Sequence, residues 1–305
     1  MIEGIVMRST GSFYDVLATD GKRYNSRVRG KIRLEGIKET NPVAVGDRVS
    51  LDLEHEIASI VEIHPRKNHI LRQSVKKTGH SHVLAANIDQ ALLVVTFSYP
   101  RTSLGFIDRF LVSAEAFRIP QVLVFNKKDL LDEKELKLLE SLTTLYSGIG
   151  VQCLCISALL EDQKQVRDIL QDRTTLIAGH SGVGKSTMLN KISPLINQSV
   201  GGVSDFSEKG THTTTFAEMF HLDEKTFVID TPGIKEWGLV DMNRQEISDY
   251  FPEMRDLRLQ CKFQSRCIHV SEPKCAIIDA VESGVIQASR YENYLSMLLG
   301  EDNRK

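Results

Sequence analysis

The sequence predicts an α/β protein in three parts: a small β-barrel, a parallel α/β domain whose strands have been re-ordered, and a cysteine-bearing C-terminal part. Three observations predict it. Residues 1–66 hold five short β-like runs punctuated by Gly, Asn and Asp. Residues 84–240 alternate apolar strands with helical patterns, and within them NKKD (126–129) precedes the phosphate-loop pattern GHSGVGKST (179–187). Residues 241–305 are charged and carry three of the five cysteines.

The five runs of the first part are IEGIVM, FYDVLA, RYNSRVR, DRVSLDL and IASIVEI, which predict a small barrel or OB-fold over 1–66. In the middle part, 67–240, ALLVVTF (91–97) is a buried strand. SLGFIDRFLVSAEAF (103–117) has helical spacing, with Phe106, Phe110, Leu111, Ala114 and Phe117 on one side. QVLVF (121–125) is a strand, DEKELKLLESLTTLY (132–146) a helix, VQCLCI (151–156) a strand and DQKQVRDIL (162–170) a short helix. TTLIA (174–178) is a strand that runs into the phosphate loop, and the strands TTFAEMFHL and TFVID (226–230) follow. The last part, 241–305, ends in the helical YENYLSMLL.

Composition bounds the partners. The 305 residues are 41% hydrophobic, enough for two or three packed domains. A net charge of -2 excludes a wholly basic nucleic-acid binder, so any such surface is local. No apolar run approaches a membrane span, and the start MIEGIVMRSTG lacks a basic n-region and a small-residue cleavage site. A cytoplasmic monomer with no membrane contact is expected. An odd number of cysteines argues for metal or plain burial over disulfides.

The chemistry starts at GHSGVGKST. Gly179, Gly182 and Gly184 let backbone N–H groups turn inward around phosphate oxygens, with Ser181, Val183 and Thr187 completing the binding set. Lys185 supplies charge to the β- and γ-phosphates, and the Ser186 hydroxyl would hold Mg²⁺. Asp230 of DTPG would act on the same Mg²⁺, and the Gly233 N–H would meet the γ-phosphate. Between these motifs, one threonine of GTHTTT (210–215), Thr213 or Thr214, would close on Mg²⁺ and γ-phosphate.

Asp129 chooses the base. A carboxylate only accepts hydrogen bonds, and guanine offers two donors side by side, at N1 and N2, where adenine offers an acceptor at N1. Asn126 would brace the loops and Lys127 would cover the purine face. Ser157 and Ala158 end the next strand, where the Ala158 N–H would meet guanine O6.

NKKD normally follows the phosphate loop. Cutting a Ras-like sheet after DxxG and joining the old ends gives the order seen here, and QDR (171–173) is a short enough join. The expectation is a circularly permuted Ras-like P-loop GTPase domain. The loop after DTPG then leads directly into 241–305, so nucleotide state would be passed to the C-terminal part as an order–disorder switch. Ile234 stands where Ras-like enzymes place a water-orienting glutamine, so slow unaided turnover is expected. His212 is the candidate for that role, beside the alternative of a plain loop histidine. Lys185, Thr214 and His212 form the candidate catalytic set.

Cys261, Cys267, His269 and Cys275 match a closed tetrahedral zinc site of three thiolates and an imidazole, one structural Zn²⁺ stapling a small domain. Cys153 and Cys155 alternate on a strand and read as core. Positive charge clusters in KRYNSRVRGKIR (22–33), with Tyr24 among its six basic residues, and in RKNHILRQSVKKTGHSH (66–82). These are either a nucleic-acid surface or a solvated strand face and a linker. Residues 1–66 carry ten Lys/Arg against ten Asp/Glu, so only the clustering argues for the former.

With AANIDQALLVV, FIDRFL, NKKD before GHSGVGKST, GTHTTT, DTPG and the Cys-Cys-His-Cys cluster, the chain resembles the RsgA (YjeQ or YloQ) family of circularly permuted, ribosome small subunit-dependent GTPases along nearly its whole length. The resemblance implies an N-terminal OB domain, a central GTPase and a C-terminal zinc domain. It also implies binding to the small (30S) ribosomal subunit and its rRNA, GTP hydrolysis to GDP and phosphate stimulated by that subunit, and a role in its late maturation. One position departs from the usual EPGC, which reads EPKC with Lys274 and unsettles a local turn. The competing readings are a GTP-dependent switch on another structured RNA such as tRNA, and a zinc-stapled RNA-binding module whose nucleotide site only binds.

Overall fold

The computed structural model describes residues 1–29, 42–54, 56–73, 81–193, 196, 217–230 and 242–301. The five β-like runs form strands β1 (Ile2–Ser9), β2 (Tyr14–Ala18), β3 (Arg23–Val28), β4 (Arg48–Asp52) and β5 (Ala58–Ile63). β1 pairs with both β2 and β4, β3 pairs with β2 and β5, and β4 pairs with β5, so the sheet closes on itself as a barrel. Its interior is Val6, Tyr14, Val16, Val49, Leu51 and Ile60, the inward half of a period-two alternation. Gly4 is required there, because a Cβ would lie 2.8 Å from the Leu17 carbonyl oxygen.

The hairpin β6 (His69–Gln73) and β7 (Ser81–Ala86) occupies the stretch read above as a basic junction or linker. Two further corrections concern the basic clusters. Arg66 is not a surface charge. Its guanidinium, 7% exposed, forks onto Asp47 at 2.7 and 2.8 Å and donates to the Pro42 carbonyl, fastening the segment after β5 to the one before β4. Lys67 is paired with Asp89. Tyr24 does not share the basic face: alternation along β3 turns it towards the barrel core, and its hydroxyl donates to Asp20. Arg23, Arg27 and Arg29 are exposed on the opposite face, where Phe13 is the aromatic, with the Arg27 guanidinium 4.0 Å above its ring.

The middle of the chain builds β8 (Gln90–Val95), α1 (Leu104–Ala116), β9 (Gln121–Phe125), α2 (Glu133–Gly148), β10 (Gln152–Cys155), α3 (Lys164–Leu170), β11 (Thr174–Ala178), α4 (Lys185–Ile192), β12 (Glu218–His221) and β13 (Phe227–Asp230). Local signals set these bounds. Ser103 caps α1 by accepting from the Phe106 N–H, and Asp132 with Glu135 forms a capping box on α2. The strands lie in the spatial order β10-β9-β8-β11-β13-β12, parallel except for β12. β8, which precedes the phosphate loop in sequence, lies beside β11, which leads into it, as the cut and rejoined sheet requires. Apolar clusters cover both faces, one under α1 and α2 around Leu93, Leu123 and Leu176, the other under α3 and α4 around Leu92, Val124 and Ile177. Cys153 and Cys155 are half-buried against the first.

Barrel and parallel sheet are one continuous sheet. β1 pairs antiparallel with β12 at Arg8 and Glu218, giving eleven strands in a row. Ile5 and Met7 of β1 pack into the core of the middle part, not of the barrel.

The C-terminal part is helical: a 3-10 turn (Ile247–Tyr250), α5 (Pro252–Arg255), short turns at Leu257–Gln260 and Gln264–Arg266, α6 (Ala276–Glu282) and α7 (Ala288–Leu299). Its core of Ile247, Phe251, Met254, Tyr294 and Met297 includes Val112 of α1. A buried polar cluster crosses the same junction. Asp108 of α1, 1% exposed, accepts from Arg290 of α7 at 2.6 Å, from the Tyr146 hydroxyl at 2.8 Å and from Asn293 at 2.6 Å. Arg290 also donates to Glu253 at 2.6 Å. Burial opposes the charge on Arg290, but the carboxylates of Asp108 and Glu253 outweigh it and hold the guanidinium pKa above its usual value.

Candidate nucleotide site and metal centre

β9, β10 and β11 all end on one side of the sheet, the side where open parallel sheets present ligand-binding loops. NKKD leaves β9, Ser157-Ala158 leaves β10, and the phosphate loop leaves β11. Asn126 joins all three. Its Nδ2 donates to the Val183 carbonyl at 2.7 Å, and its Oδ1 accepts from the Ala158 N–H at 2.8 Å. Residues separated by 57 and 32 positions thus meet at one buried amide. Gly184 is fixed by this approach, since a Cβ there would lie 2.3 Å from Asn126 Nδ2.

Lys127 donates to the Gly182 carbonyl at 2.7 Å and to the Tyr99 carbonyl, which stretches its stem along the phosphate loop. Asp129 is exposed at the mouth, while Ser157 and Ala158 are each 2% exposed. Lys185 opens α4 and its Nζ donates to the Gly179 and His180 carbonyls at 2.6 and 3.2 Å, lying back inside its own loop. Burial pushes the Lys185 pKa down, and the nearby charge of Asp230 acts against that shift. Ser181, Ser186 and Thr187 are exposed at the loop and the start of α4. Asp230 ends β13, the strand beside β11. The His180 ring lies 4.0 Å from that of Phe106, so α1 touches the phosphate loop. His212, Thr213, Thr214 and Gly233 lie outside the described residues.

The second constellation is Cys261, Cys267, His269 and Cys275, all buried, with their ligand atoms within 4.8 Å of one another. Cys275 Sγ lies 3.8 Å from Cys261 Sγ, 3.8 Å from Cys267 Sγ and 3.3 Å from His269 Nδ1. Four ligands at zinc–sulfur bond lengths of about 2.3 Å define a tetrahedron with edges of about 3.8 Å, so the spacing fits such an ion. Burial and the neighbouring thiols push the Cys267 thiol up to about 12, against a smaller opposing bond from the His269 backbone, so thiolates there need a cation's charge. Burial also lowers the His269 pKa, which favours the neutral, ligating ring. Lys274, at the position where the sequence departs from EPGC, has φ 58, the left-handed conformation that glycine takes at little cost.

Sequence reasoning missed the ties around these sites. Glu161 accepts from the Ser157 N–H, Ser248 meets the far nitrogen of His269, and Glu272 gathers the N–H groups of Ile268, Val270 and Ser271. Glu161 and Ser248 belong to no motif, and Glu272 opens the EPKC stretch without its acceptor role having been read. Glu161 could have been sought as an acidic residue a few positions from a motif loop, whereas Ser248 is too far from one in sequence.

A family model described as RsgA GTPase matches residues 63–240, and one described as RsgA N-terminal domain matches residues 3–61. The chain is 49% identical to the small ribosomal subunit biogenesis GTPase RsgA of Bacteroides fragilis, covering 100% of this chain and 98% of that protein. It is 48% identical to the protein of that name from Christiangramia forsetii, over 99% of this chain and 97% of that one. Among solved structures, YjeQ from Thermotoga maritima superposes with a TM-score of 0.78 at 34% identity, covering 100% of this chain and 99% of that chain. YloQ, described as a circularly permuted GTPase, gives 0.75 at 30% identity, with 100% and 96% coverage.

Proposed function

Because the chain belongs to the RsgA GTPase family, and so is a GTP hydrolase, we propose that it hydrolyses GTP to GDP and phosphate on the small ribosomal subunit during late maturation of that subunit. The observation that carries the nucleotide assignment is Asn126, whose amide ties NKKD to both the phosphate loop and the Ser157-Ala158 turn. Relatives bearing the small-subunit name over nearly the full length support the partner.

The chain is read as a barrel over 1–66, the permuted GTPase over 67–240 and a zinc domain over 241–305. Asp129 takes the guanine N1 and N2 donors, Lys127 lies along the purine face and the Ala158 N–H, held by Asn126 Oδ1 without nucleotide, turns to O6 when guanine binds. The backbone of residues 179–187 cradles the phosphates, and Lys185 leaves its own carbonyls for the β- and γ-phosphates. Ser186, Asp230 and Thr213 or Thr214 would hold Mg²⁺, which would supply charge neutralisation for the phosphates. Gly233 and His212 face the γ-phosphate end, His212 holding the attacking water. Cys261, Cys267, His269 and Cys275 would hold one Zn²⁺, which would have a structural role. The protein acts as a cytoplasmic monomer.

The exposed face of β3, with Arg23, Arg27 and Arg29 and the stacked Phe13–Arg27 pair, is the rRNA-facing surface of the barrel. α1 carries the nucleotide state onward: Phe106 touches the phosphate loop, and Asp108 and Val112 hold the C-terminal helices. Co-sedimentation with purified small subunits tests the partner. Retention with a non-hydrolysable GTP analogue and release with GDP is expected. Equal retention on large subunits, or preferential binding to tRNA, would favour a switch acting on another RNA.

A further inference from the structure

The turn after β10 presents the Ala158 N–H, yet its outer half has nothing apolar to rest on. Leu159 and Leu160 are each 69% exposed, whereas Ser157 and Ala158 are 2% exposed. Packing therefore holds Ala158 but not Leu159 and Leu160, and polar ties must fix the outer half.

Those ties converge on Glu161. One carboxylate oxygen accepts from the Ser157 N–H at 2.9 Å, and the other accepts from Lys128 Nζ at 2.6 Å. Lys128 is the variable residue of NKKD, and its own N–H donates to the Ile156 carbonyl at 3.2 Å. Glu161 thus bridges the residue before Ala158 to the residue before Asp129. Gln163, 1% exposed, secures the same turn from beneath, donating to the Ser157 and Glu161 carbonyls at 3.3 and 2.8 Å. Lys191 of α4 donates to the Leu159 and Glu161 carbonyls, which ties the turn to the helix that starts at the phosphate loop.

We propose that Glu161 is a positioning residue for guanine recognition, holding the Ala158 N–H and the Asp129 loop in one fixed relation before nucleotide binds. The inference rests on the guanine-site reading above and names a residue outside its motifs. The Lys128–Glu161 pair has side chains 39% and 38% exposed, so its charge attraction alone is weak. What matters is that a single carboxylate fixes two loops, so that binding does not have to order them. The effect belongs to binding and not to the chemical step, because the Glu161 carboxylate bonds to the two base-recognition loops, at Ser157 and Lys128.

The experiment compares full-length wild type, Glu161→Ala and Glu161→Gln, each loaded with zinc. Equilibrium affinities are measured for GDP, for IDP (whose base keeps O6 and N1–H but lacks the N2 amine) and for ADP, together with GTP turnover. Glu161→Ala is expected to weaken GDP about tenfold, for one lost charged hydrogen bond, and IDP by less, because IDP has no N2 donor for a displaced Asp129 to lose. KM for GTP should rise in step while kcat at saturation stays within about twofold. Glu161→Gln keeps an acceptor for the Ser157 N–H and should lose no more than about threefold. Unchanged GDP affinity in Glu161→Ala, a fall in kcat without a rise in KM, or a loss for IDP equal to or greater than that for GDP would overturn the proposal. Wild type binding ADP as tightly as GDP would overturn the guanine-site reading itself, and the proposal with it.

Discussion

Ser248 Oγ lies 3.3 Å from Nε2 of His269, while Nδ1 of the same ring faces Cys275 Sγ at 3.3 Å. In the tautomer that leaves the Nδ1 lone pair for a metal, Nε2–H donates a hydrogen bond to the Ser248 hydroxyl, which aims Nδ1 at the thiols. Ser248 is 1% exposed and belongs to the turn Ile247–Tyr250, so this contact also fastens that turn to the metal centre. Ser248→Ala is expected to weaken zinc about 10- to 100-fold, as loss of such a ligand-orienting partner does. Competition with a colorimetric chelator measures it, and an unchanged midpoint would remove Ser248 from the account.

Arg290 is 1% exposed and neutralises two carboxylates, Asp108 across the junction and Glu253 within the C-terminal part. Arg290→Met strands both in a buried site and is expected to cost about 3–5 kcal/mol. Adding Asp108→Leu to that variant should recover part of the loss, because it removes one stranded charge. Denaturant unfolding reads both. A single-variant cost below about 1 kcal/mol would mean that water already screens the cluster.

Lys274 holds φ 58 one residue before the ligand Cys275. Lys274→Gly removes the Cβ strain of the left-handed region, worth about 1 kcal/mol, less the entropy glycine adds to the unfolded chain. A small rise in melting temperature of the zinc-loaded protein is expected. A fall would show that the Lys274 side chain contributes more than its backbone costs.

Asp129→Asn replaces an acceptor with a group that also donates. Xanthine carries a C2 carbonyl where guanine carries its amine, so the variant should bind XDP better than GDP, with GDP affinity down about 100-fold. Fluorescence titration with both nucleotides decides it. A variant that still prefers GDP would place base selection elsewhere.

The architecture was legible because its signals are local. β9 and β11 fall on QVLVF and TTLIA as read, since buried parallel strands are short apolar runs with breakers at each end. The barrel strands could be found from their alternation, and that same alternation should have sent Tyr24 inward, between the exposed Arg23 and Asn25. The β6–β7 hairpin was hidden by charge, because KNHILRQSVKK carries too few apolar residues to mark a strand pair. Long-range pairings left no trace. Asp47 and Arg66 look like two ordinary surface residues, and Asp108 meets Arg290 across 182 positions. Nor does any pattern announce that Arg8 pairs with Glu218 and fuses barrel and domain into one sheet. The motif residues of the two sites were found by spacing, whereas the groups that hold them, Glu161, Gln163 and Ser248, were not, because a supporting side chain needs only the right place in space.

The account stands or falls on GTP turnover by the zinc-loaded protein alone, with purified small ribosomal subunits, with large subunits and with tRNA. With Ile234 after DTPG and no glutamine there to orient water, slow turnover alone and a large stimulation by small subunits only are predicted. Stimulation by tRNA, or turnover indifferent to every RNA, would contradict it.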